Sequence, residues 1–193
     1  MSRSIEFDKQ QAAAAAMELI WRRGFEATSV DDLTRHLGIG RASLYNTFGD
    51  KRGVLQAALD LYDRASCAAL DSFLDRPGRG REVIEAMLAW QEADACDSTH
   101  PRGCFFLAMA SELHEEDAGV LDCVRRGLAR IEQTFAELLR RGRADGSIGR
   151  QIVVADAARL LTGTMVAVRA LARAGGSPAL IAAMVASARR ALG

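Results

Sequence analysis

Apolar residues recur at every third or fourth position along most of the chain, the spacing that places them on one face of an α-helix. Ala13, Met17 and Ile20 mark the first such segment, and Val30 and Leu33 begin the second. Short clusters rich in glycine, aspartate and proline separate the segments. No alternating stretch indicates a β-strand. The pattern therefore predicts an all-α protein of about nine helices.

Signals for helix ends agree with this division of the chain. Gly24 ends the first helix and Gly38 follows the second, positions at which glycine is common. Thr28 or Ser29 can cap the second helix at its N-terminus, and Asp50 can cap the fourth. The predicted helices cover residues 9–24, 30–37, 41–47, 51–74, 82–95, 104–113, 117–143, 154–174 and 178–192.

The second and third helices are short, and they form the most informative part of the chain. The turn Gly38-Ile39-Gly40 joins them with the spacing of a helix-turn-helix. Leu44 and Phe48 anchor the third helix, so its other faces are free for contacts outside the protein. Those faces carry donors and acceptors suited to base edges and phosphates, namely Arg41, Ser43, Asn46 and Thr47.

Charge supports a nucleic-acid interface only locally. Lysine and arginine together number 25, and aspartate and glutamate also number 25, so the whole chain offers no electrostatic argument for DNA binding. Residues 35–52, however, hold four basic side chains against Asp50 alone, a local balance of +3. The basic character therefore falls on the predicted reading helix and its flanks.

Residues 24–55 resemble the head of the TetR/AcrR family of transcription regulators. The core Leu44-Tyr45-x-x-Phe48-x-x-Lys51 is specific to that family. The resemblance is strong over residues 8–62 and consistent across the rest of the chain. There, Pro101-Arg102-Gly103-Cys104-Phe105 is similar to one branch of the family.

The resemblance implies a domain division and a set of DNA contacts. Residues 1–50 would form a helix-turn-helix head, joined by a long helix to a ligand-binding and dimerisation body within residues 51–193. The family usually has serine or threonine where Gly40 stands, so that cap contact is expected to be absent, and Asn46 replaces a more common histidine or tyrosine. Arg41, Ala42, Ser43 and Asn46 would face the major groove, and Thr28, Tyr45, Thr47 and Lys51 would contact the phosphate backbone.

Aromatic and methionine side chains in the body either line a ligand pocket or form ordinary core. The resemblance implies a cavity enclosed by the fourth to eighth helices. A small-molecule effector bound there would tilt the fourth helix and change the distance between the two heads of a dimer. The pocket candidates are Phe73, Met87, Trp90, Cys104, Phe105, Phe106, Met109 and Phe135.

Small residues are concentrated in the last two helices, which permits close packing either within the chain or between two copies. The resemblance favours a four-helix interface in a homodimer, whose two-fold symmetry matches a palindromic operator on double-stranded DNA. A repressor released by its ligand is the function implied. The small residues are Ala157, Ala158, Gly163, Ala167, Ala170, Ala179, Ala182, Ala183 and Ala186.

Cys104 supports an alternative function, a thiol-based sensor of oxidants or electrophiles on the same fold. It follows Pro101-Arg102-Gly103, so it lies at or near a helix N-terminus, where a thiolate is favoured, and His100 is close in sequence. Some electrophile-sensing members of the family have a Gly-Cys at a similar position. A buried, inert cysteine is a second interpretation, and a Cys96–Cys104 redox pair is a third.

Several other classes of protein find no support. The chain has no CxxC pair, no glycine-rich phosphate loop and no Ser/His/Asp arrangement, so we expect no enzyme, metal or cofactor. The cluster of Glu112, His114, Glu115 and Glu116 is expected at a solvated helix end. A structural adaptor would not need the basic segment. With no signal peptide and no run approaching the roughly 18–20 apolar residues of a membrane span, we expect a cytoplasmic protein without membrane contact.

Overall fold

The computed structural model describes residues 8–97, 103–112 and 118–193, and within these ranges the chain forms nine α-helices and no β-strand. The predicted all-α class is therefore confirmed. None of the described helices has the length and apolar character needed to cross a membrane. The helices are α1 (Lys9–Arg23), α2 (Val30–Leu37), α3 (Arg41–Phe48), α4 (Lys51–Leu74), α5 (Gly80–Cys96), α6 (Phe105–Ala110), α7 (Ala118–Ala144), α8 (Val154–Arg173) and α9 (Pro178–Arg190).

Most helices lie within one or two residues of their predicted bounds, and the differences at α5 and α6 have local explanations. α5 starts at Gly80, earlier than predicted, because the Glu82 carboxylate accepts the backbone N–H of Arg79 (3.0 Å) and caps the helix there. α6 begins at Phe105, one residue later than predicted, and it ends early because the chain enters a turn directly after Ala110. Leu113, the predicted last residue of that helix, lies outside the described residues.

The described parts of the chain divide into two compact units. Unit 1 comprises Met1–Ala65 and Phe105–Cys123, and unit 2 comprises Ser66–Cys104 and Val124–Gly193. Unit 1 therefore contains α1 to α3, the first part of α4, α6 and the start of α7. Unit 2 contains the remainder of α4 and α7 together with α5, α8 and α9.

Helices α1, α2 and α3 enclose a small apolar core in unit 1. Ile20, Leu33 and Leu44, one from each helix, are fully buried there. Gly38 has a φ of 65°, in the left-handed region that glycine adopts without strain, and it turns the chain from α2 towards α3. This tight turn directs Leu44 and Phe48 into the core and leaves the other faces of α3 outside it.

In unit 2, α5, α8 and α9 pack on one another around a larger core. The N-terminus of α5 approaches the end of α7 closely, since a Cβ at Gly80 would overlap the backbone of Leu138 and Gly142. Arg141 of α7 donates to three carbonyl oxygens in segment 74–78. The end of α4 and the start of α5 are thus both anchored to α7.

Candidate nucleic-acid interface

Helix α3 separates its apolar and polar residues between two faces. Leu44 is fully buried and Phe48 is 9% exposed, so both anchor the helix in the core as predicted. An α-helix of this kind, with short polar side chains outward, has the dimensions to enter the major groove of DNA. Its outward side chains are Arg41, Ala42, Ser43, Tyr45 and Asn46, which are exposed, and Thr47, which is half-buried.

Arg41, the first residue of α3, is paired with a carboxylate of α2. Its Nε and one terminal nitrogen donate to the two oxygens of Asp31 at 2.9 and 2.7 Å. These hydrogen bonds raise the pKa of Arg41 above its ordinary value. Arg35 likewise lies 3.3 Å from Asp32. The local balance of +3 is therefore partly neutralised in space, because acidic residues that precede the basic segment in sequence fold against it.

The start of α2 settles which residue caps that helix. Ser29 is the N-cap, since its Oγ accepts the backbone N–H of Asp32 (3.1 Å) while the Asp32 carboxylate accepts the N–H of Ser29 (3.1 Å). Hydrogen bonds from Ser29 lower the pKa of Asp32. Thr28 is fully buried, and its hydroxyl donates to the carbonyl of Gly24 (2.6 Å). The hydroxyl exposed at this helix start thus belongs to Ser29.

Lys51, at the first residue of α4, is seated on an aromatic ring. Its Nζ lies 4.2 Å from the ring centroid of Phe25, a distance at which the cation and the π-system attract each other. Phe25 is 3% exposed, so the ring is a fixed platform. The predicted cap of α4 is present, because Asp50 Oδ1 accepts the N–H of Gly53 (2.7 Å). The cation is thereby held at the start of a helix that follows α3 directly.

The N-cap of α3 is Gly40, which provides no side-chain hydrogen bond, as expected. Its φ of −75° and ψ of 157° are open to any residue. A Cβ at Gly40 would meet no atom within 4 Å. A serine would therefore fit at this position without strain.

The predicted pocket residues divide between the two units. Trp90 is 40% exposed, and its ring centroid lies 5.8 Å from that of Phe73. Met87 and Phe135 are fully buried core residues. Unit 2 contains Phe73, Met87, Trp90, Cys104 and Phe135, while unit 1 contains Phe105, Phe106 and Met109.

A buried polar cluster that the sequence did not reveal lies beside Trp90. Gln91 is fully buried, its Nε2 donates to the Met165 carbonyl (3.2 Å), and its Oε1 accepts from Arg169 Nε (3.3 Å). The Arg169 guanidinium lies 5.7 Å from the Trp90 ring centroid and also donates to the Gly103 carbonyl (3.2 Å). A glutamine on the apolar face of a predicted helix is the sequence signal that could have indicated this cluster.

Glu112 departs from its expected place at a solvated helix end. Its carboxylate is half-buried and accepts the backbone N–H of Phe25 (2.6 Å). No sequence pattern indicated this contact, because the two residues are 87 positions apart. The other members of that cluster, His114, Glu115 and Glu116, lie outside the described residues.

The two cysteines of the predicted redox pair are thiols in the structure. Cys96 is exposed and Cys104 is half-buried, and neither belongs to a disulfide. Among residues 8–97, 103–112 and 118–193 no cluster of three His, Cys, Asp or Glu side chains is arranged to hold a metal ion. His100 lies outside those ranges.

A helix-turn-helix with a polar outward face, followed by a helical body, defines the class of DNA-binding transcription regulators. Two family models match the chain in agreement with this. The model described as "Bacterial regulatory proteins, tetR family" matches residues 13–58. The model described as "Tetracyclin repressor-like, C-terminal domain" matches residues 75–188. The chain therefore belongs to the TetR family, and it is a transcription regulator rather than an enzyme.

Individual relatives extend over most of the chain. The uncharacterized HTH-type transcriptional regulator YezE of Bacillus subtilis (strain 168) is 30% identical over 83% of this chain and 84% of its own length. The HTH-type transcriptional repressor ComR of Escherichia coli (strain K12) is 28% identical over 89% of this chain and 82% of its own. A structure of the TetR family regulator CifR, a cysteine mutant complexed with operator DNA, has a TM-score of 0.87 at 28% identity and covers 99% of this chain and 100% of that one.

Proposed function

We propose that this protein is a repressor that binds a palindromic operator as a homodimer and leaves it when a small, largely apolar molecule binds the body. The observation that carries the proposal is the outward face of α3. Arg41, Ser43 and Asn46 are exposed there, while Leu44 anchors the helix from its inward face. The similarity to ComR, named a repressor, and to CifR, solved with operator DNA, supports it. Since its target is the bacterial chromosome, the protein acts in the cytoplasm.

The contacts divide into two kinds. Arg41, Ala42, Ser43 and Asn46 read base edges, because their side chains are short or forked and lie on the outward face of α3. The phosphate backbone is contacted by Tyr45, Thr47 and Lys51. At the start of α2, Ser29 takes the phosphate contact that the resemblance assigns to Thr28, because Thr28 is fully buried with its hydroxyl on the Gly24 carbonyl. Ser29 is exposed, and its hydroxyl, which donates to Asp32 Oδ2 at 2.6 Å, can exchange that partner for a phosphate.

The homodimer interface is the outward surface of α8 and α9. Leu160 is 50% exposed and Leu180 is 46% exposed, so each of the two helices presents a large apolar side chain outward. Ala158, by contrast, is 1% exposed and belongs to the core of its own chain. Between the two helices lies a groove of about 330 Å³, lined by Leu160, Thr164, Ala183, Met184, Ser187 and Ala188. A second copy of the chain, related by a two-fold axis, fills it with the same residues.

The effector is expected to contact the half-exposed ring of Trp90. Its neighbours are an apolar ring, Phe73, and a guanidinium, Arg169, so a ligand at this ring would have an aromatic surface and a hydrogen-bond donor close by. Phe105, Phe106 and Met109 are buried residues of the other unit, and their part in ligand binding stays a prediction. The alternative of thiol sensing through Cys104 stays a prediction.

Fluorescence anisotropy with duplexes that tile the protein's own promoter region tests the DNA-binding part. Arg41→Ala and Lys51→Ala should weaken binding, and Lys51→Ala should reduce the slope of log affinity against log salt by about 0.9, the value for one lost phosphate contact. Arg64→Ala is the matched control. Arg64 is exposed on α4, about 20 Å along the helix from Lys51, so its loss should change little. Unchanged affinity and slope in both test variants would refute the assignment.

A further inference from the structure

We infer that Glu112 is a positioning residue for DNA binding. From the end of α6 its carboxylate holds the turn between α1 and α2. Through that turn it positions the Phe25 ring, which contacts Lys51. This inference rests on the proposed function, because it concerns how the head is held in the conformation that binds DNA. Four observations lead to it, all within unit 1.

The first observation is the hydrogen bonding of the Glu112 carboxylate. Oε2 accepts the backbone N–H of Phe25 at 2.6 Å and approaches the N–H of Glu26 at 3.4 Å. Bonds between a carboxylate and backbone N–H groups are charge-assisted and stronger than neutral ones. A single side chain thus fixes two successive peptide groups of the turn that leads into α2.

The second observation is that the turn is built to admit this carboxylate. Gly24 ends α1 with a φ of 93°, and a Cβ there would lie 2.9 Å from both Glu112 oxygens. Any side chain at Gly24 would therefore displace the carboxylate or strain the backbone. Gly24 therefore has two roles: it ends α1, and its lack of a side chain leaves room for the Glu112 carboxylate.

The third observation concerns the contacts that Phe25 and Gly24 make with Lys51 and Thr28. The Phe25 ring is the platform under Lys51 Nζ, at 4.2 Å. The Phe25 carbonyl accepts the N–H of Thr28 (3.1 Å), and the Gly24 carbonyl accepts the Thr28 hydroxyl. Thr28 directly precedes the Ser29 cap of α2. A shift of this turn would therefore move the Lys51 platform and the start of α2 together.

The fourth observation is that Glu112 itself is anchored. The N–H of Glu112 donates to the Met109 carbonyl (3.1 Å), which ties the carboxylate to the last turn of α6. Met109 and Phe105 are fully buried. The ring of Phe105 lies 5.5 Å from Trp21 of α1 and 5.7 Å from Tyr62 of α4, centroid to centroid. α6 is thus packed firmly enough to hold the turn.

Loss of the Glu112 carboxylate should lower the fraction of protein whose head is in the DNA-binding conformation. Without its acceptor the turn samples other geometries, and the apparent dissociation constant rises by the inverse of the fraction that remains competent. Removal of the Glu112 carboxylate acts through Lys51, which contacts phosphate, so binding to operator and to nonspecific duplexes should weaken alike. The loss of one charge-assisted hydrogen bond corresponds to roughly a tenfold weakening.

A double-mutant cycle on the full-length protein tests the inference, with anisotropy of an operator duplex as the readout. Glu112→Ala should raise the dissociation constant about tenfold and lower the salt slope towards that of Lys51→Ala. In the Lys51→Ala background most of this effect should disappear, because both changes remove the same contact. Glu112→Gln keeps an acceptor oxygen and should bind within about twofold of wild type. Glu18→Gln, on the exposed side of α1, controls for the lost charge.

Equal effects of Glu112→Ala with and without Lys51 would overturn the inference, as would wild-type affinity of Glu112→Ala. If Glu112→Ala does not fold, Glu112→Met keeps the volume without the acceptor and takes its place in the cycle. Hydrogen exchange of the free wild-type protein adds a readout without DNA: the Phe25 amide should be protected, and rapid exchange there would also overturn the inference. Wild-type protein that binds no duplex while this amide is protected would refute the proposed function instead.

Discussion

The guanidinium of Arg41 is held by the carboxylate of Asp31 through two parallel hydrogen bonds of 2.9 and 2.7 Å. A guanine base presents two acceptors that suit the same forked donor. The arginine that we propose to read a base is therefore already paired with a carboxylate in the free protein. Because the pair is exposed to solvent, it separates easily when DNA offers a replacement.

Asp31→Asn should make DNA binding tighter but less selective. The change frees Arg41 and removes a negative charge beside the incoming phosphates, so nonspecific duplexes should gain more affinity than the operator. The salt slope should steepen by up to about 0.9, the contribution of one further phosphate contact. Titrations of operator and scrambled duplexes measure both effects, with Glu18→Gln as the control for charge alone. A larger ratio of operator to scrambled affinity would contradict the expectation.

Serine at the two glycines of the helix-turn-helix should have opposite effects on stability. Gly40→Ser adds a cap to α3 at ordinary dihedral angles and should stabilise the head by about 0.5–1 kcal/mol. Gly38→Ser must adopt a φ of 65° and should destabilise it by about 1–2 kcal/mol. Neither added Cβ meets a neighbour within 4 Å, so crowding does not contribute to the difference. Urea unfolding followed by circular dichroism measures both, and changes of the same sign would show the dihedral argument to be wrong.

Leu160→Glu should yield monomers. A charge in the groove between α8 and α9 would be buried without a partner if two copies associated there, and such burial is strongly unfavourable. Operator affinity should fall with it, since each half-site would then be bound singly. Ala144→Glu, at the exposed end of α7, is the matched control and should stay dimeric. Sedimentation equilibrium decides between the outcomes: a Leu160→Glu dimer as tight as wild type would exclude this surface.

Thiol sensing predicts that Cys104 mediates release of operator by electrophiles. Cys104 is half-buried and follows Gly103, whose carbonyl is bonded to Arg169. It directly precedes Phe105, the fully buried first residue of α6, so an adduct on the thiol would disturb the start of that helix. N-ethylmaleimide should therefore release operator from wild type and from Cys96→Ser, but not from Cys104→Ser. Release that persists in Cys104→Ser would make Cys104 a structural residue and leave reversible ligand binding as the regulatory mechanism.

Local features of the reading helix could be predicted from its sequence because they depend on neighbours in the chain. The spacing of Leu44 and Phe48 determined which face of α3 lies inward, and Gly38 marked the turn. The sequence limits the N-cap of α2 to two adjacent residues, Thr28 and Ser29. The structure selects Ser29, because the Thr28 hydroxyl donates to a backbone carbonyl inside the head. A sequence pattern does not contain that partner's position.

The helical class, the family and the polar residues of α3 all follow from the order of residues along the chain, since periodicity and capping are properties of short segments. The partners of those residues, by contrast, depend on the three-dimensional fold. Asp31 reaches Arg41 across the turn, Phe25 lies beneath Lys51, and Glu112 meets the turn after α1 from 87 positions away. Each of these contacts depends on where helices pack. Packing is set by the combined burial of many apolar side chains, which no single segment encodes.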